Sequence, residues 1–300
     1  MAIADHIKKD SPTNNFATFN PLHLSNESTP DIATLSDGNL VATVSSSTCA
    51  FSNFQIPKTG KWFAEVLLAT DSSPQFGIGN VNAVGQGASA GYYGIYNNGS
   101  SIILHNGSHT TPASSGAWSP DDVNEVGLIA IDSDNNKIWL GVNTNASAGA
   151  SPGLYIGNST SDAFDNTYPT IGENGYDTSF DINDGWFINV SGGGSSVWVL
   201  NCGQDPTFGG RRSGENPSSG DGGIGLFHTV PPTGFKALCT ANLPDFTPNV
   251  ADDNINEPSA SHLSVAKLYT IECDPVTFDA APPCVPVSYT HLTLPTNREV

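Results

Sequence analysis

The sequence predicts an all-β protein, a two-sheet antiparallel β-sandwich. Three observations predict it. Gly (31) and Pro (21) are plentiful, and Ser, Thr and Asn crowd the gaps between apolar runs. Helix formers are scarce, with 10 Lys+Arg and a single Met. Short runs of alternating or β-branched apolar residues recur from Asn39 to Lys236, and none of that region sustains a 3.6-residue apolar period. Turn-rich composition with many short strands and no intervening helices is the pattern of a sandwich or barrel.

Each strand follows from its own pattern. "NLVATV" (Asn39–Val44) is short and β-branched. "KWFAEVLLA" (Lys61–Ala69) puts Trp62, Ala64, Val66 and Leu68 on one face, with Phe63 and Leu67 flanking Glu65 on the other. A strand apolar on one face and partly apolar on the other belongs at the centre of a sandwich. "SIILH" (Ser101–His105) follows the turn-like "NNGS". "NEVGLIAID" (Asn124–Asp132) and "KIWLGV" (Lys137–Val142) flank "SDNN", which predicts a hairpin. "GWFINV" (Gly185–Val190) and "SVWVLNC" (Ser196–Cys202), joined by "SGGGS", read as another pair.

These motifs together resemble a family, the SPRY domains of the concanavalin A-like jelly-roll group. "GKWFAEV" (Gly60–Val66) resembles the family's Gly-Lys-aromatic-aromatic-x-Glu-Val strand, with "FGIG" (Phe76–Gly79) following at the expected distance. "EVGLIAIDSDNNKIWLGVN" (Glu125–Asn143) is similar to its Asp-x-Asp hairpin, although Thr144 stands where Gly is usual. "TYPTI" (Thr167–Ile171) resembles the family's aromatic-Pro step. "NCGQDPTF" (Asn201–Phe208) resembles its closing Asn-Phe-Gly-Gln, with Cys202 in place of Phe. The flanks "DSPTNNFATFNPL" (Asp10–Leu22) and "PPTGFKALCTANLPD" (Pro231–Asp245) resemble the borders of SPRY-like modules in structural, tail-fibre-like proteins of tailed phages, especially marine ones. The resemblance implies a non-catalytic binding module of a virion protein, made in the host cytoplasm and meeting a protein or a host-surface glycan, with homo-oligomers within the particle. Carbohydrate binding as a lectin-like module, glycan hydrolysis, and a cellular protein–protein adaptor are the alternative expectations.

The expected organisation is an N-terminal extension over 1–16, the sandwich over 17–245 and a polar, acidic linker over 246–261. Residues 262–286 read as the truncated start of a further segment. "VSYTHLTLPT" (Val287–Thr296) resembles one reading frame of a sequencing-library adapter, so 287–300 are expected to be artefact. On that expectation the natural C-terminus is missing and the gene derives from assembled environmental DNA.

Composition and motifs also exclude classes of function. The formal charge is −19. Such a surface repels phosphate, which argues against nucleic acid and anionic membrane. No apolar stretch approaches the ~20 residues of a membrane helix, and "MAIADHIKKDSPTNN" lacks a signal-peptide apolar block. Five cysteines (Cys49, Cys202, Cys239, Cys273, Cys284) have no metal-ligand spacing and read as buried free thiols. No cofactor and no metal are expected. "DSDNN" (Asp132–Asn136) has oxygens at alternate positions, but Lys137 and Asn143 stand where a calcium loop needs Gly and Glu. His105 and His109 in "HNGSH" have no accompanying ligand and read as a turn. "GASAG" (Gly87–Gly91) lacks the helix of a nucleophile elbow. Glycan cleavage needs two carboxylates about 5–5.5 Å apart for retention. Glu65 stands alone on its strand, and Asp181 and Asp184 in "DINDGW" read as turn residues. No enzyme activity is expected.

Binding residues are sought in loop-like stretches, where aromatics bury much area at little entropic cost. Tyr92 and Tyr93 in "GYYGIY", Trp118 in "GAWSP", and the adjacent Arg211 and Arg212 are the candidates. For each taken singly, ordinary packing or a local ion pair is the stronger competing reading.

Overall fold

The computed structural model describes residues 14–22, 31–46, 48–83, 85, 91–97, 101–105, 108–110, 123–143, 181–213 and 219–244, with side chains left aside at 31–32, 97 and 101–110. The strands among them, in chain order, are β1 (Asp31–Ile32), β2 (Thr34–Ser36), β3 (Val41–Val44), β4 (Thr48–Gln55), β5 (Lys61–Thr70), β6 (Pro74–Gly79), β7 (Tyr92–Asn97), β8 (Ser101–His105), β9 (Ser108–Thr110), β10 (Val126–Asp132), β11 (Lys137–Asn143), β12 (Phe187–Gly192), β13 (Ser196–Asn201) and β14 (Lys236–Ala237). The described helical elements are single 3₁₀ turns, such as Ile182–Asp184.

Two sheets form the predicted sandwich. The first has the order β1-β4-β12-β6-β7-β8-β9, and the second β11-β10-β5-β13-β3-β2. Pairing is antiparallel apart from β1 on β4 and β14 on β5. The second sheet is centred on β5, between β10 and β13. The alternation along β5 does what it predicts: Trp62, Ala64, Val66 and Leu68 enter the core between the sheets, where Phe76, Ile78, Trp186, Val190 and Trp198 meet them.

Phe63 and Leu67 point the other way and are buried too. A second apolar layer covers the outer face of this sheet, built from Phe208, Phe227, Phe235 and Ala237 with Phe16. Phe63 meets Phe227 edge to face, with centroids 5.0 Å apart. The segment after β13 therefore returns as a strap over β5, and β14 adds to that strand in parallel. Phe16 is 3% exposed and bridges Cys239, and Asn15 exchanges hydrogen bonds with Thr240 beside it.

The hairpin of β10 and β11 forms in the expected register, with Asp132 opposite Lys137. Asp132 caps its turn by accepting from Asn135 and pairs with Lys61 Nζ at 3.0 Å. Those bonds occupy the Asp132 carboxylate in the turn, as the hairpin reading expects. The other expected pair is corrected. β12 and β13 do not pair with each other: β12 lies between β4 and β6 in the first sheet, and β13 between β5 and β3 in the second. The "SGGGS" connection is a corner that switches sheets. Ser196 Oγ closes it on Ser72 O (2.7 Å) and Gly193 O (3.3 Å), and Trp198 Nε1 reaches back to Ser191 O at 3.0 Å.

Candidate functional site

β5 carries one acid, Glu65, and it is 0% exposed on the strap side of the second sheet. Both oxygens are taken. Thr229 N–H donates to Oε1 at 2.7 Å; His228 N–H and Asn201 Nδ2 donate to Oε2, each at 2.9 Å. Burial pushes its pKa up, to about 7, although these hydrogen bonds pull it down. No second carboxylate is among the partners of Glu65, which acts as a staple fastening the strap to β5.

Asn201, at the end of β13, extends the staple. Its amide also reaches Leu226 O (3.2 Å), and its Oδ1 accepts from Gly203 N (2.8 Å) and Asp205 N (3.1 Å). Gln204 accepts from Cys202 N at 2.7 Å and donates to Ala17 O at 3.0 Å, tying in the N-terminal segment. Asp205 then shapes the next turn, accepting from Thr207 N, Thr207 Oγ1 and Gly209 N at 2.6–2.8 Å. The sequence signal "NCGQD" was present, but the roles of its members were not legible from it.

This knotted turn presents the arginine pair. Arg211 is exposed, and its Nη1 donates to Phe208 O at 3.1 Å. Arg212 is half-buried; its backbone N–H donates to Thr207 O, and Glu125 is its nearby counter-charge. Desolvation lowers the Arg212 pKa, and Glu125 raises it. Val123, close in sequence to Glu125, is 51% exposed. The loop is thus a fixed cationic rim on an acidic chain.

The aromatic candidates fall elsewhere. Tyr92 and Tyr93 are corrected from loop residues to strand residues: both lie in β7 and are 1% exposed. Tyr93 packs edge to face on Trp186 in the inter-sheet core, with centroids 5.2 Å apart. Tyr92 lies on the outer face of the first sheet with Cys49, Phe51 and Ala83. Alternation along β7 explains both, since neighbouring residues of a strand face opposite ways. Trp118 lies outside the described residues, as do Gly87–Ala90, Thr167–Ile171, Cys273 and Cys284. Cys49, Cys202 and Cys239 are buried free thiols, as expected. Asp181 accepts from Asn183 N at 2.9 Å and caps the 3₁₀ turn that ends at Asp184, so both are turn residues, as expected. His105 pairs with Ser108, and His109 with Leu104, so the two histidines are not opposite each other. Among the described residues no three His, Cys, Asp or Glu side chains gather to hold a metal, and no helix is long and apolar enough to cross a membrane.

The geometry defines an all-β two-sheet sandwich with a stapled strap and an arginine-bearing rim. Comparison with solved structures finds low-similarity matches. The SPRY domain of human HERC1 is 10% identical at a TM-score of 0.37, over 56% of this chain and 91% of that one. The PSpry domain of TRIM65 is 12% identical at 0.38, over 62% and 89%. Stonustoxin is 11% identical at 0.36, over 61% and 28%. No protein-family model matches the chain, and no curated protein matches it. The fold assignment rests on the two sheets themselves.

Proposed function

We propose that this chain is a non-catalytic recognition module of SPRY type in a virion component of a tailed phage, a tail fibre or its neighbour. Its rim loop, with Arg211 and Arg212, meets a protein partner or a host surface. One observation carries this reading: the central acid of β5 is consumed as a staple, while the turn it helps fix holds an exposed arginine at the rim. Sandwiches of this kind place recognition on loops held by a rigid scaffold. The virion setting is supported by the sequence flanks "DSPTNNFATFNPL" and "PPTGFKALCTANLPD". A second reading is a lectin-like module. A cellular adaptor is the third.

Reading the genes on either side of the coding DNA tests the setting. Tail or capsid genes are expected there, and a cellular neighbourhood overturns the virion reading. Arg211→Glu, at the exposed member of the pair, then tests the rim. Binding of the purified chain to host cells or virion proteins is expected to fall at least tenfold with no change in melting temperature; unchanged binding removes the rim from the proposal.

A further inference from the structure

The turn between Asp205 and Arg212 is wound so as to hold one cation outward. Phe208, Gly209 and Gly210 stand in succession at φ of 52°, 69° and 83°. Left-handed φ is strained for a bulky aromatic residue, and glycine tolerates it. The Phe208 ring is 1% exposed in the strap layer, and Gly210 N–H donates to Thr207 Oγ1 at 3.1 Å. Burial of the ring and the bonds of the turn hold this backbone in place. The Arg211 side chain then folds back over Gly209. A Cβ on Gly209 would lie 2.9 Å from Arg211 Nη1, which donates to Phe208 O at 3.1 Å. A guanidinium is a rigid fork of N–H donors, and this bond restrains its plane.

The two arginines differ in how their charge is met. Arg212 is half-buried, with Glu125, itself 6% exposed, as its counter-charge. Arg211 is exposed and forms no ion pair with a carboxylate among the described residues. Near the pair lies an exposed apolar side chain, Val123, two residues before Glu125. Asn124 N–H donates to Leu68 O at 2.6 Å and Leu68 N–H to Glu125 O at 2.9 Å, so the backbone beside Val123 is pinned to β5. A restrained guanidinium and a fixed aliphatic side chain are thus offered together at the rim.

We propose, resting on the rim reading above, that the partner presents an acidic peptide segment. Its side-chain carboxylate meets the Arg211 fork, and a neighbouring aliphatic side chain meets Val123. A planar carboxylate accepts two parallel N–H bonds from one guanidinium, which a point charge such as an ammonium does not supply. A net charge of −19 repels polyphosphate chains. Val123 has no donor or acceptor on its side chain, so a hydroxyl-covered glycan gains little there, whereas an aliphatic side chain gains burial.

Fluorescence anisotropy with the full chain tests this. The probes are short labelled peptides carrying one Asp beside one Leu, and their counterparts with Asn in place of Asp, each titrated to about 1 mM. The Asp peptides are expected to bind about tenfold tighter than the Asn peptides. Arg211→Lys keeps the charge and loses the fork, and Val123→Ser loses the aliphatic contact. Each is expected to weaken the Asp peptides about threefold or more. Both positions are exposed, so the melting temperature is expected to stay at the parent value. Equal binding of Asp and Asn peptides overturns the proposal, as does binding that both variants retain. Oligogalacturonate is the glycan arm: its binding in place of the peptides, lost in Arg211→Lys, overturns the peptide assignment. If Arg211→Glu abolishes binding to host cells or virion proteins while no acidic peptide binds, the rim reading stands and this proposal falls. If Arg211→Glu changes nothing, both fall.

Discussion

At the scale of single residues, Glu65 decides how the strap is held, and two outcomes follow from its three donors. Glu65→Ala leaves the amides of Thr229 and His228 and the Asn201 side chain buried without their acceptor. Each costs about 1–3 kcal/mol, so the loss is expected to exceed about 3 kcal/mol in urea unfolding. Glu65→Gln keeps the shape but turns an N–H₂ toward N–H donors, and is expected to cost about 2 kcal/mol. Stability also depends on pH through this residue. The unfolded chain releases the Glu65 proton near 4.5 and the folded chain near 7. Between those values the folded form retains a proton that the unfolded form has lost, so rising pH weakens the fold across that window. Below 4.5 and above about 7 this residue adds no slope. A shift of this size corresponds to roughly 3 kcal/mol. Urea midpoints from pH 4 to 8 check it: Glu65→Gln is expected to lack the fall, and a parent chain with no fall would remove the assigned titration. The sequence displayed Glu65 as a lone acid on a central strand. It could not display the partners, because two of the three donors are backbone amides 163 and 164 residues away.

At the scale of elements, alternation was the most legible signal. It placed Trp62 and Val66 in the inter-sheet core and Phe63 and Leu67 outside it, and both sides are as read. Alternation does not say which strands pair. The runs at β12 and β13 are adjacent and joined by a glycine-rich turn, which is equally the signature of a hairpin and of a corner. Long-range register settles it: Val190 pairs with Phe76 in one sheet, and Leu200 with Val66 in the other. The same ambiguity put Tyr92 and Tyr93 in a loop, since the surrounding glycines read as turn residues. Those glycines instead serve close packing within the sheet. Gly94 lies under the Tyr92 ring, and a Cβ there would come within 2.3 Å of it and 2.5 Å of Phe76 O. Gly94→Ala is expected to cost about 1–3 kcal/mol by overpacking, read as a lower thermal midpoint, with near-parent stability contradicting this packing.

At the scale of the whole molecule, an acidic chain folds into a sandwich whose second sheet is sealed on both faces, by the first sheet and by the strap. The proposed recognition is thereby left to the arginine rim. The rim was legible as an adjacent arginine pair in a chain of net charge −19. The gathering of Gln75, Asn189 and Ser191 on the outer face of the first sheet was not, because they lie far apart in sequence and meet only through the register of β6 and β12. The central claim is recognition without catalysis. Its most direct measurement is the release of reducing ends when the purified chain is incubated with a broad panel of polysaccharides. The account predicts none above the blank, with or without Glu65. Turnover of any member of the panel, abolished by Glu65→Gln, would contradict it.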